Sequence, residues 1–210
     1  MAGVIELSDG GRIEIRPIRP GDRGALEHGL ERMGVESRYW RFFAPISRFS
    51  EGQLAYLTEV DHHDHEALIA LDHETRDGIG VARFVRTGPE VAEPAVVVVD
   101  DWQRRGVGAR LLDELSDRAR EEGIRAFAAP VLADNAAAIP ALSRLGDTSI
   151  TSHGSEVELI IDLEETHGAV ATLQALLRHA AEQTIRPSFS FWHHLTGRDE
   201  SAEEDADTVS

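Results

Sequence analysis

Residues 96–112, VVVVDDWQRRGVGARLL, constrain this chain more than any other stretch. Four consecutive valines are β-branched and read as a strand buried on both faces. Asp100, Asp101 and Trp102 end the run, and a glycine-containing loop follows from Gln103 to Gly108. Leu111, Leu112, Leu115 and Ala119 then share one face of a helix. A strand, a loop and a helix start in this order call for a mixed α/β chain. The first N–H groups of such a helix lack intrahelical partners, and its dipole adds partial positive charge there. Gly106 and Gly108 carry no Cβ, so a ligand can approach the backbone. Arg104 and Arg105 add full positive charge, which makes the loop a cradle suited to pyrophosphate.

Several loops place glycines in this way. A P-loop needs Gly-Lys-Ser/Thr, and no lysine stands here. A dinucleotide-binding turn needs a third small residue at position 111, which is Leu. A tight strand-to-helix turn without a ligand stays open beside the cradle.

Composition narrows the function classes. The 210 residues suit one domain with extensions. A hydrophobic content of 41% is enough for a soluble core, and no run approaches the length of a membrane span. No basic-then-apolar leader is evident, so a cytoplasmic location is the expectation. The absence of cysteine excludes disulfides, a thiolate nucleophile and cysteine-ligated zinc. A net charge of −17 argues against nucleic acid as a partner and suits cationic substrates or simple solubility.

Residues 1–11 read as a lead-in. Residues 12–16, RIEIR, alternate as a first strand closed by Pro17 and Pro20. Asp22 is placed to cap a helix running to about Met33. Residues 36–43, ESRYWRFF, form a second helix, either a substrate wall or a core-packing face, and Pro45 ends it. Ser50 with Gln53 spells a capping box for a third helix. Residues 61–66, DHHDHE, fit no defensible zinc spacing and read as a polar connection; no metal site is expected. Strands follow at 67–71, 79–85 and 90–99. After the helix come a strand at 125–131, a helix starting at Asp134-Asn135 and kinked or delayed by Pro140, and a hairpin at 148–151 and 156–163. Residues 164–197 carry an amphipathic helix and an aromatic patch of Phe189, Phe191 and Trp192, expected to dock on the domain or on a second copy in a homodimer. Residues 198–210 read as an acidic disordered tail.

This order of elements, with Gln103-x-x-Gly106-x-Gly108 after the valine strand, resembles the GNAT N-acetyltransferase superfamily over residues 12–163. Asn135-x-x-Ala138-Ile139 with Leu145-Gly146, and the final hairpin, extend the resemblance. Arg38-Tyr39-x-Arg41-Phe42-Phe43 and Ala92-Glu93 before the valines are similar to bacterial protein lysine acetyltransferases. The resemblance implies a mixed, mostly antiparallel sheet of about seven strands flanked by helices. It implies acetyl-CoA as co-substrate and a primary amine as acceptor, either a protein lysine or a small molecule. Co-substrate contacts would come from Val97, Val98 and Val99 on the strand, from Gln103, Arg104, Arg105, Gly106, Val107, Gly108 and Ala109 on the loop and helix start, and from Asn135 and Ala138.

The resemblance also puts a general base at Glu93, with Glu90, Asp100 or water as substitutes. A backbone N–H near residues 97–99 would polarise the thioester carbonyl. Many members carry a Tyr acid in the later helix; Leu142 stands there instead, so the thiolate leaves unprotonated, through water, or with help from Ser143. A non-catalytic acyl-CoA sensor is the alternative that this gap leaves open.

Overall fold

The computed structural model describes residues 3–42, 46–135 and 137–163. The expectations for Phe43, Pro45, the 164–197 extension and the acidic tail lie outside the described residues, as do the side chains of Trp40, Arg41 and Phe42.

Eight strands form one sheet in the order β1-β2-β3-β4-β5-β6-β8-β7. They are β1 (Val4–Glu6), β2 (Arg12–Pro17), β3 (His65–Asp72), β4 (Gly78–Arg86), β5 (Val91–Val98), β6 (Ala126–Leu132), β7 (Asp147–His153) and β8 (Glu156–Asp162). The helices are α1 (Arg23–Glu31), α2 (Val35–Phe42), α3 (Glu51–Thr58), α4 (Val107–Glu121) and α5 (Ala138–Ser143). Every neighbouring pair is antiparallel except β5 and β6, which run parallel.

Alternation along the strands divides the core into two faces. Ala67, Ile69 and Leu71 of β3 join Ile18 and Val81 on one face, beneath α1. Leu68, Ala70, Ala82 and Phe84 join the larger cluster with Leu111, Leu112, Leu115 and Ala119, the apolar stripe of α4. Gly146 lets the chain turn from α5 into β7, because a Cβ there would lie 1.7 Å from the Asp162 carbonyl oxygen.

Several sequence expectations are corrected here. Val4–Glu6 is a strand rather than a lead-in, pairing Val4 with Glu14 and Glu6 with Arg12, which makes eight strands instead of seven. Three residues are too few to show an alternating pattern, and only pairing with β2 organises them. Of the two effects expected of Pro140, the delayed start is found: α5 begins at Ala138 rather than at Asp134. Pro140 falls in its first turn, where a missing N–H costs nothing. The valine run is only half-buried at Val96, Val97 and Val98, because β6 pairs with β5 at Val91 and Ala92 alone.

Asp22 stands at the start of α1, yet its side chain makes no capping bond. Its carboxylate takes both Nη atoms of Arg16, at 2.8 and 2.7 Å, and the Arg19 N–H at 2.8 Å. Burial pushes the Asp22 carboxyl up, but these donors outweigh it and hold the group below its ordinary value. The stability it contributes is therefore present above the unfolded-state value and is lost as pH falls through the lower folded value. Asp22→Asn is expected to cost about 1–2 kcal/mol at neutral pH. In urea unfolding, that gap should close as the pH is lowered below the carboxylate range.

Candidate active site

β5 leaves β6 after two paired residues, Val91 with Ala126 and Ala92 with Phe127. The Glu90 carbonyl closes the junction by accepting the Arg125 and Ala126 N–H groups at 2.8 and 3.1 Å. Beyond it the strands diverge, and one edge of β5 faces a gap. Val99 donates its N–H to Ile79 on the other side, at 3.0 Å. Antiparallel alternation then turns Val97 toward β4 as well, and the Val96 and Val98 N–H groups toward the gap. Of the three valines in the candidate oxyanion stretch, only Val98 aims a donor there. Pro94 occupies another gap-facing position and has no N–H to leave unpaired.

Glu93 is the first residue past the junction, at the vertex of the gap. It is half-buried and sits opposite Val85, on the sheet face that carries Arg83 and Val97. The substitute acids have other roles. Glu90 pairs with Arg125 at 3.3 Å at the closed end of the junction. Asp100 accepts the Gly34 N–H at 2.9 Å and a Gln103 amide N–H at 3.1 Å.

The loop after β5 passes through a short turn, Asp100–Trp102, and ends at Gly106, where φ is +93°. This left-handed conformation suits glycine, and glycine as a cap offers no side-chain acceptor. The first intrahelical bond runs from the Arg110 N–H to the Gly106 carbonyl, at 3.1 Å. The N–H groups of Gly106, Val107, Gly108 and Ala109 thus have no partner within α4. Arg104, at φ +58°, is exposed beside them.

Two residues of the predicted cradle spend their side chains on partners within the protein. The Gln103 amide donates to the Val98 carbonyl at 3.1 Å and reaches Ser37 Oγ at 3.3 Å, tying the loop to β5 and α2. Arg105 stacks its guanidinium 3.8 Å from the Trp102 ring centroid and donates to Asp9 at 2.5 Å.

On the β6 side, Asn135 accepts the Ala138 N–H at 3.2 Å, fixing the start of α5. Arg144, at the end of α5, donates to the Ala109 carbonyl at 2.9 Å and pairs with Asp113, so α5 is fastened to the first turns of α4. Leu142 is 5% exposed and belongs to the core, with no hydroxyl to offer.

A small cavity of about 50 Å³ lies between α1, α3 and the sheet. Leu26, Leu30, Met33, Val81 and Val97 line it, with Arg83 as the one charged residue. Arg83 is wholly buried; it donates to the Leu57 carbonyl at 3.2 Å and lies 3.1 Å from His65 Nε2. Burial lowers its pKa to about 10. Sequence reading passed over it, although a lone charge within the apolar run 79–85 was the available signal.

The histidine-rich stretch is a joint. Asp61 accepts the N–H groups of His63, Asp64 and His65 at 2.9, 2.9 and 2.8 Å. Burial raises the Asp61 carboxyl, and these three donors more than reverse it. His62 bonds the buried Glu66 at 2.6 Å, and Glu66 also receives Arg118 at 3.0 Å. His63 bonds Glu122, while His65 meets the Tyr56 ring at a tilt, with centroids 4.9 Å apart. Among the described residues no cluster is arranged to hold a metal ion. None of their helices is long and apolar enough to cross a membrane.

The sequence and the overall fold are similar to those of known proteins. The chain is 35% identical over 144 residues to Acetyltransferase Pat of Mycolicibacterium smegmatis, covering 68% of this chain and 43% of Pat. It is 35% identical over 127 residues to Acetyltransferase PA5475 of Pseudomonas aeruginosa, covering 58% of this chain and 67% of that protein. The chain thus spans less than half of Pat and about two thirds of PA5475. The crystal structure of the GNAT domain of S. lividans PAT superposes with a TM-score of 0.72 at 33% identity, over 77% of this chain and 97% of that domain. Residues 30–147 match the model of the Acetyltransferase (GNAT) family, and with more than half its length in that match the chain belongs to this family.

Proposed function

We propose that the protein transfers an acetyl group from acetyl-CoA to a primary amine, on a protein lysine or a small molecule, by direct attack. The observation that carries this reading is the gap between β5 and β6, with an uncapped helix start at its mouth and Glu93 at its vertex. The N–H groups of residues 106–109, the α4 dipole and Arg104 suit the pyrophosphate. The free edge of β5 offers Val96 and Val98 to the pantetheine and thioester, and Asn135 and Ala138 flank the opposite side. The Val98 N–H is the donor best placed to stabilise negative charge on the carbonyl oxygen. Glu93 takes the proton of the ammonium, directly or through water, and the free amine attacks the thioester carbon. The nitrogen of the tetrahedral intermediate gives up its second proton to water, and the intermediate collapses to the amide with cleavage of the C–S bond. With Leu142 in place of a hydroxyl, the thiolate takes its proton from water.

Calorimetry with acetyl-CoA, followed by thiol release over a panel of amines and lysine peptides, tests this reading. Amine-dependent thiol release with a mass gain of one acetyl group on the acceptor is the expected result. Tight acetyl-CoA binding without amine-dependent release would favour the non-catalytic sensor, the reading that the aliphatic Leu142 supports.

A further inference from the structure

We propose that Arg105 is a positioning residue, part of a brace from the N-terminal hairpin that fixes the loop ahead of α4, and does not itself bind phosphate. The proposal rests on acetyl-CoA occupying that loop. Arg105 lies between two residues in the left-handed region, Arg104 at φ +58° and Gly106 at φ +93°. A side chain at Arg104's conformation is strained, and such backbone persists only where its surroundings hold it. Those surroundings are on both sides of the guanidinium. Trp102, 8% exposed and anchored in the core, lies under it at 3.8 Å. Asp9, in the turn between β1 and β2, accepts from its Nε at 2.5 Å.

Asp9 is itself held in place. Its other carboxylate oxygen accepts the Gly11 N–H at 3.0 Å, while Leu7 donates to the Gly11 carbonyl at 2.8 Å and Gly10 to the Leu7 carbonyl at 2.9 Å. Gly11 is fitted to the contact, since a Cβ there would lie 2.6 Å from Arg105 Nη2. The Arg105 hydrogen bond, with the Gly11 N–H, keeps the Asp9 carboxyl below its usual range, as a standing ion pair requires. The pairing also cancels a negative charge that would otherwise stand near a polyanionic ligand. Attraction for phosphate is left to Arg104 and the backbone N–H groups.

Brace and phosphate ligand predict opposite results for Asp9→Asn. If Arg105 is a brace, losing Asp9 loosens the loop, and the calorimetric Kd for CoA rises about 3–10-fold. The KM for acetyl-CoA then rises with kcat unchanged. Arg105→Gln weakens CoA by a similar factor, and the double variant is no weaker than either single variant. Gly11→Ala, which displaces the guanidinium without changing charge, follows the same pattern and covers the case in which Asp9→Asn fails to fold. If Arg105 binds phosphate, Asp9→Asn frees it and CoA binding is unchanged or tighter; that result overturns the brace. Additive losses in the double variant overturn it too, because the two residues would then act separately. Gly108→Glu separates this proposal from the reading beneath it. If that variant binds CoA normally, the loop assignment fails; if it loses CoA while Asp9→Asn does not, only the brace fails.

Discussion

Glu93→Gln should lower turnover by about 10²–10⁴-fold while leaving acetyl-CoA affinity nearly intact. The amide keeps the shape of the side chain and removes its basicity, so the loss falls on the step that needs a free amine. Glu93 has the strongest claim to that role by position: it is half-buried at the vertex of the gap, whereas Glu90 lies at the closed end of the junction and Asp100 in the loop after β5. Steady-state rates across pH supply the check. The variant depends on amine deprotonated in solution, so its rate should climb more steeply with pH than that of the parent protein. An unaltered rate and profile would pass the role to water or to another acid. Simultaneous loss of acetyl-CoA binding would mean that Glu93 supports the strand rather than the chemistry.

Gly108→Glu should weaken CoA by roughly 30-fold or more. It sets both a side chain and a negative charge against the pyrophosphate, each worth at least ~1–3 kcal/mol. The fold should tolerate the change at its first atom, since a Cβ at residue 108 meets only Val98 Cγ2 at 3.4 Å, an ordinary contact. Gly108→Ala therefore serves as a folded control with a much smaller effect. Isothermal titration with CoA on both variants, after matched thermal melts, reads the difference; equal affinities would remove the pyrophosphate from this loop.

The fold was legible where a pattern is local. The valine run, the stripe of α4 and the Ser50–Gln53 box each carry their own periodicity or chemistry, and the box forms as spelled, with Gln53 N–H donating to Ser50 Oγ at 3.2 Å and Ser50 N–H to Gln53 at 2.8 Å. Features that depend on distant partners were not legible. β1 exists because β2 pairs with it, and Asp22 faces Arg16 rather than its helix because a guanidinium out-competes an N–H. The site divides in the same way. Glycine spacing identifies the helix start, and the family resemblance points to Glu93. Sequence alone cannot separate an arginine that meets a ligand from one that meets Asp9, ninety-six residues earlier in the chain. Nor can it assign which valine N–H groups face the gap, since that alternation is set by the register with β4.

The two-residue seam between β5 and β6 bears on how the molecule comes apart. On one side stands an antiparallel meander, β1 to β5, backed by α4; on the other, β6, β8 and β7 complete the same sheet. Few backbone bonds cross the seam; the two sides are also joined by side-chain links such as Arg120 to the Leu163 carbonyl at 2.7 Å and Arg144 to Ala109, and by the shared core in which Phe84 meets Phe127. Amide hydrogen exchange should accordingly resolve two cooperative units, with the three-stranded unit opening at lower free energy. A molecule lying in the gap touches both units at once, so its binding energy joins them. At a hundred times its Kd, it would add about 2.7 kcal/mol to any opening that separates them. If acetyl-CoA is that molecule, slowed exchange in β7 and β8 would record its arrival.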